Sequence, residues 1–210
     1  MRPALEARHT RTEPSADQFE AVKSRVTVLK RVRSFIADAD EELTLSITRE
    51  ILEEVDDALR AAHDRGVLVV LLVSGTDELP AGLADLGSVV RVWRETMPLM
   101  LTVDRRVGVI APVEMLASAH SDSQAIVFVQ QHLGPVVVAS FFGNYWPIAR
   151  EAAVADPVAL PVAYENFWHI IFQATLWLRA DADLRATIEG RTTADNEYVE
   201  LDCRVVDVTQ

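Results

Sequence analysis

An uninterrupted apolar run, "VLVVLLV" at 67–73, constrains this chain more than any other feature. It is opened by "DRG" and closed by "SG", and is far shorter than the roughly 20 apolar residues a bilayer span requires. Such a run between turn signals specifies a strand covered on both faces. The sequence before it supplies covering helices. Val28, Leu29, Val32, Phe35 and Ile36 recur at helical spacing, with charged residues on the opposite face. "ELTLSI" at 42–47 alternates like a strand. Thr48 is placed to cap a second helix, whose Ile51, Leu52, Val55, Leu59 and Ala62 form one stripe. Gly66 suits the left-handed position beyond its end. Helix, strand, helix, strand in that order predicts an α/β domain with a mixed, largely parallel sheet and helices on both faces.

Further strands are expected at "FEAVKS" (an edge), "SVVRVW" and "AIVFV". "LMLTVD" and "VGVIAP" flank Arg105 and Arg106 as a tight hairpin. "GPVVVASFFGNYWPIA" reads as a buried helix over 134–149, with Pro135 in its first turn, where a missing N–H costs nothing. After the linker "DPVALP" comes a second long helix, "AYENFWHIIFQATLWLR", with Phe167, Ile170, Ile171, Ala174 and Leu178 at helical spacing. "LRATIEG" and "YVELDCRVVDV" alternate as a C-terminal β-hairpin. The divisions expected are a flexible tail at 1–17, an α/β domain at 18–180, and the start of a β-rich unit at 181–210.

The formal charge is −12, from 32 acids and 20 bases, and only Lys23 and Lys30 among the bases are lysines. An acidic, lysine-poor surface stays hydrated in concentrated salt, which predicts a salt-adapted, halophilic source. It argues against DNA binding by this chain alone, because duplex binding needs clustered cations. Cys203 is single, so neither a disulfide nor a cysteine zinc site is available, and no cofactor or metal is expected. The N-terminus lacks the apolar core of a signal peptide, and a cytoplasmic protein without membrane contact is predicted.

"DEELTLSI", "ALRAAHDRGVLVVLLVSG", "TVDRRVGVI", "AIVFVQQHLGPVVVASFFGNYWPIA" and "FWHIIFQATLWLRADADLRATIEGR", in that order, resemble the effector domain of TrmB-type transcriptional regulators. The likeness covers 19–210 and is strongest to the versions found in salt-adapted archaea. It implies a phospholipase D-like α/β fold and a role as a sugar-sensing, homodimeric module whose small effector is a sugar or sugar derivative. Members of this family usually place a winged helix before this domain and a β domain after it. Against that pattern, this chain is expected to lack the winged helix before Phe19 and most of the β domain after the α/β part.

Phospholipase D-type enzymes set a His-x-Lys-x4-Asp pattern on the hairpin, and here Met97 and Leu99 stand in the first two places, with Asp104 in the third. A thioether cannot attack phosphorus and an isobutyl group cannot hold an oxyanion, so no enzyme activity is expected. The alternatives are a degenerate phosphodiesterase using His120 or His169, and a ligand-free scaffold remnant. Candidate ligand contacts are Asp104, Asn144, Tyr145, Trp146 and Glu189: flat rings with a few directed polar groups are what sugar sites require.

Overall fold

The computed structural model describes residues 18–78, 82–118, 122–164 and 167–208, so the expected tail at 1–17, with His9, and the loop residue His120 lie outside the described residues. The chain opens with β1 (Gln18–Val22), α1 (Arg25–Ala37) and β2 (Glu42–Thr48). It continues with α2 (Arg49–Leu52), α3 (Asp56–Asp64), β3 (Leu68–Ser74) and β4 (Val89–Trp93). The hairpin strands β5 (Leu99–Val103) and β6 (Val107–Ala111) precede α4 (Val113–Ala117), β7 (Ala125–Val129) and α5 (Leu133–Ser140). Last come β8 (Arg150–Val154), α6 (Phe167–Arg179), β9 (Leu184–Arg191) and β10 (Tyr198–Val205).

Eight strands form one sheet in the order β1-β7-β6-β5-β2-β3-β4-β8, and β9 pairs with β10 separately. The sheet is mixed, as expected, but not largely parallel. Among the described strands only β2–β3 and β3–β4 run parallel, while β5, β6, β7, β1 and β8 all join antiparallel. The reason is loop length. A parallel pair needs a long crossover, which α2 and α3 provide between β2 and β3, whereas the short turn between β5 and β6 permits only a hairpin.

Helices cover both faces. The "VLVVLLV" strand is buried at every position of β3 and splits its side chains by alternation. Val69, Leu71 and Val73 join Val28, Leu29, Val32 and Ile36 of α1 and Leu59 and Ala62 of α3 in one core. Leu68, Val70 and Leu72 join Phe141, Trp146 and Phe172 in another on the opposite face. The helix expected between Thr48 and Gly66 breaks between Leu52 and Asp56, yet its stripe of Ile51, Leu52, Val55, Leu59 and Ala62 is entirely buried. Thr48 precedes α2 without a side-chain cap, whereas Ser24 Oγ does cap α1 by accepting from the Thr27 N–H at 3.3 Å. Gly66 takes φ +88°, as its place past α3 requires.

The long apolar segment is helical over its expected length but changes pitch. An α-helix to Ser140 widens into a π-turn at Phe141–Tyr145 and tightens into a 3-10 turn at Trp146–Ile148. Pro147 supplies no N–H to continue the α pattern. α6 buries a different face from the one its spacing suggested. His169, Phe172, Gln173, Ala174, Leu176 and Trp177 are buried, while Phe167 is exposed. A helix apolar around most of its circumference gives periodicity too little contrast to choose a face.

Candidate functional site

The segment leading into and through the β5–β6 hairpin places Met97, Leu99 and Asp104 as follows. Leu99 is fully buried and belongs to the core beneath α1 and α3, whereas Met97 is buried in the core on the opposite face of the sheet. The two side chains that would have to share one cleft are therefore directed into separate apolar interiors. Asp104 occupies the turn at φ +47°, followed by Arg105 at φ +51°, a region Asp enters more readily than most residues. Its carboxylate accepts the backbone N–H groups of Asp40, Glu41 and Glu42 at 3.2, 2.9 and 3.1 Å. This clamp fastens the hairpin to the start of β2. Arg105 adds a second tie, donating from Nε to the Glu42 carboxylate at 2.5 Å. Asp104→Ala is expected to cost about 2 kcal/mol, because three backbone donors lose a charged acceptor and alanine is poorly suited to φ > 0. Asp104→Asn should recover part of that loss, as read by urea denaturation.

A second constellation lies at the other end of the sheet, where β4 carries Arg91 between buried Val90 and Val92. A register shift between Val90 and Arg91 against β8 marks a bulge, a device that re-aims a side chain. The guanidinium lies 4.5 Å from the Trp146 ring centroid and donates to the Trp146 carbonyl at 2.7 Å. Its Nε is buried and makes no hydrogen bond among the described residues. Burial pulls the Arg91 pKa down, Glu151 opposes this, and the nearby Arg179 charge adds to it. Glu151 is already engaged, accepting from Arg179 at 3.1 and 3.2 Å. Arg91, Trp146, Glu151, Phe172, Thr175 and Arg179 line a cleft of about 250 Å³.

Of the candidate residues read from sequence, Trp146 alone lines this cleft. Tyr145 packs beside the cores under α5, and the Asn144 amide donates to Ser140 Oγ at 3.3 Å. Glu189 sits on β9 and accepts from the Tyr198 hydroxyl at 2.9 Å across the hairpin. Asp104 is in its clamp. Arg91, Glu151 and Arg179 were missed. The available signal was Arg91 itself, a cation inside an otherwise apolar strand, "SVVRVW". Nothing in the local pattern of "REAAV" announces a strand that brings Glu151 opposite it.

His169 on α6 is buried, its pKa lowered by desolvation, with its ring 4.3 Å from that of Tyr164. Among the described residues no three His, Cys, Asp or Glu side chains converge to hold a metal ion, and no helix is long and apolar enough to cross a membrane.

Fold and cleft together define a mixed α/β domain carrying a small polar pocket over its sheet, and comparison with known proteins gives that class a family. Residues 18–153 match the model described as Transcriptional regulator TrmB, EBD N-terminal subdomain. The chain belongs to this family of transcriptional regulators, in the part that forms the effector-binding domain. No curated protein matches it in sequence. Among solved structures it is similar to TrmBL2, an archaeal chromatin protein whose structure shows a novel mode of DNA binding. That match has 17% identity and a TM-score of 0.53, and covers 69% of this chain and 57% of TrmBL2. It is also similar to Nuc, a phospholipase D family member from Salmonella typhimurium, at 16% identity and TM-score 0.49, covering 66% and 99% of the two chains. Phosphatidylserine synthase of Haemophilus influenzae matches at 9% identity and TM-score 0.49, covering 81% and 48%.

Proposed function

We propose that this chain is the non-catalytic, effector-sensing and dimerising module of a sugar-responsive TrmB-type regulator, working as a cytoplasmic homodimer in a halophilic archaeon. The observation that carries the reading is the cleft between β4, β8 and α6, where Trp146 and three charged side chains surround a space of metabolite size. Directed polar groups on a partly aromatic wall are what small-molecule sites are built from. The absence of catalysis is supported by Met97 and Leu99, which place packing groups where phosphoryl transfer needs a nucleophile and a cation. Exposed Phe167 at the start of α6 favours that helix as the dimer seam. Exposed Ile188, Tyr198 and Leu201 on β9 and β10 favour assigning 181–210 to a separate β unit.

The test is thermal unfolding of the chain against a panel of neutral and acidic sugars. A bound effector stabilises the folded state with the logarithm of its concentration, by about 2.7 kcal/mol at a hundredfold excess over Kd, and so raises the melting temperature. No shift with any member of the panel would defeat the sensor reading. A phosphodiester assay on the same sample should show no turnover; turnover lost in His169→Ala would establish the degenerate enzyme instead.

A further inference from the structure

Arg91 is held in an arrangement that lacks its natural complement. Its guanidinium is half-buried, has no ion-paired carboxylate among the described residues, and keeps Nε without an acceptor. Glu151 is the nearby acid, and both of its oxygens face Arg179. Arg179 thus takes the one acid among the described residues that line the cleft, and Arg91 lies beside it without an ion pair to that acid. A cation removed from water without a partner is costly, and the deficit is offset when an anion enters. Arginine matches the planar oxygens of carboxylate and phosphate with paired N–H donors.

The acceptor side of the cleft is equally specific. The Thr175 hydroxyl donates to the Ile171 carbonyl at 2.8 Å, so its proton is committed to its own helix. Towards the cleft Thr175 presents lone pairs, which receive a hydroxyl proton and repel an oxyanion. Glu151 likewise only accepts. Cationic donors therefore stand opposite hydroxyl acceptors. The Trp146 ring already carries Arg91 on one face, which leaves that face unavailable for stacking a neutral sugar. A volume of about 250 Å³ is small for a ligand site and suits one ring, not two.

We propose that this cleft binds a small polyhydroxylated anion, a monosaccharide bearing a phosphate or a carboxylate, with Arg91 and Arg179 holding the oxyanion and Thr175 and Glu151 accepting from ring hydroxyls. The assignment rests on the sensor reading above and narrows its ligand class. Glucose, glucose 6-phosphate, glucuronate and inorganic phosphate are the probes, titrated calorimetrically into the full chain at moderate ionic strength.

One of the two sugar anions is expected to bind at least about tenfold more tightly than glucose, the size of effect a charged hydrogen bond supplies. Which one binds separates phosphate from carboxylate recognition. Inorganic phosphate should bind more weakly than the preferred sugar anion, because it leaves the hydroxyl acceptors unused. Arg91→Met should weaken the preferred anion more than about tenfold; because it also gives up the bond to the Trp146 carbonyl, affinity is compared at equal folded fraction, read from the ligand-free melting curve. Arg179→Gln supplies the same reading if Arg91→Met fails to fold. Glucose binding as well as either anion, unaffected by both variants, overturns this inference and leaves the sensor reading standing. Binding of none of the four, with a shift from another sugar of the wider panel, also overturns it alone. Silence across that whole panel overturns both.

Discussion

Leu99→Lys is expected to unfold much of the population at room temperature. The position is fully buried, paired with Ala111 across the β5–β6 ladder, and enclosed by the apolar core under α1 and α3. An ammonium placed there loses its hydration among apolar side chains and must deprotonate or drag the strand out. The cost of about 5 kcal/mol is comparable with the whole stability of many single domains. Leu99→Met, which keeps volume and polarity, should cost under about 1.5 kcal/mol and controls for packing. Urea denaturation followed by far-ultraviolet circular dichroism reads both. A lysine variant as stable as the parent would mean that position 99 reaches solvent, and the account of a hairpin retained for packing would fail.

The hairpin also carries two structural tasks of its own. Asp104 holds the start of β2. Gly134, near the start of α5, sits so close to the turn that a Cβ there would overlap the Arg105 carbonyl, so the hairpin is also the seat of α5.

The parts of this architecture legible in the sequence were those set by local contrast. β3 declared itself because seven buried residues stand between turn signals, and α1 because its buried Val28, Leu29, Val32 and Ile36 contrast with a charged face. The separate C-terminal hairpin followed from alternation in both strands. Strand order was not legible. Nothing in β5 states that it will lie antiparallel beside β2 and not beside β4, because that choice is made by turn length and by which faces remain open. β8 escaped because "REAAV" carries neither β-branched enrichment nor clean alternation and gains its place only by pairing with β4. The cleft failed for a related reason. Trp146 attracts attention in any reading, but Arg91, Glu151 and Arg179 come from three elements far apart in sequence, and only the fold makes them neighbours.

Gly108→Ala is expected to destabilise the domain by about 3 kcal/mol, at the upper end of the usual cost of overpacking. Gly108 lies on β6 opposite Thr102 on one side and Phe128 on the other. A Cβ there would overlap the Leu101 carbonyl and press into the Phe128 ring, whose Cε1 would stand at 2.8 Å. Phe128 cannot yield, being fully buried with Met100 and Val137 against it, and the carbonyl belongs to a central ladder. The ring fills the space that the missing side chain leaves, a known way of covering a strand glycine. Phe128→Leu should therefore recover part of the loss when combined with Gly108→Ala, so that the pair costs less than the sum of the singles. Additive costs would place the conflict in the backbone alone, and a change below about 0.5 kcal/mol for Gly108→Ala would refute the close packing. Because Arg91 is carried by β4, with β5, β2 and β3 between it and β6, folded Gly108→Ala molecules should keep the ligand affinity of the parent. Loss of binding in step with loss of folded fraction, and no further, is the outcome that separates the packing of this sheet from the chemistry of its cleft.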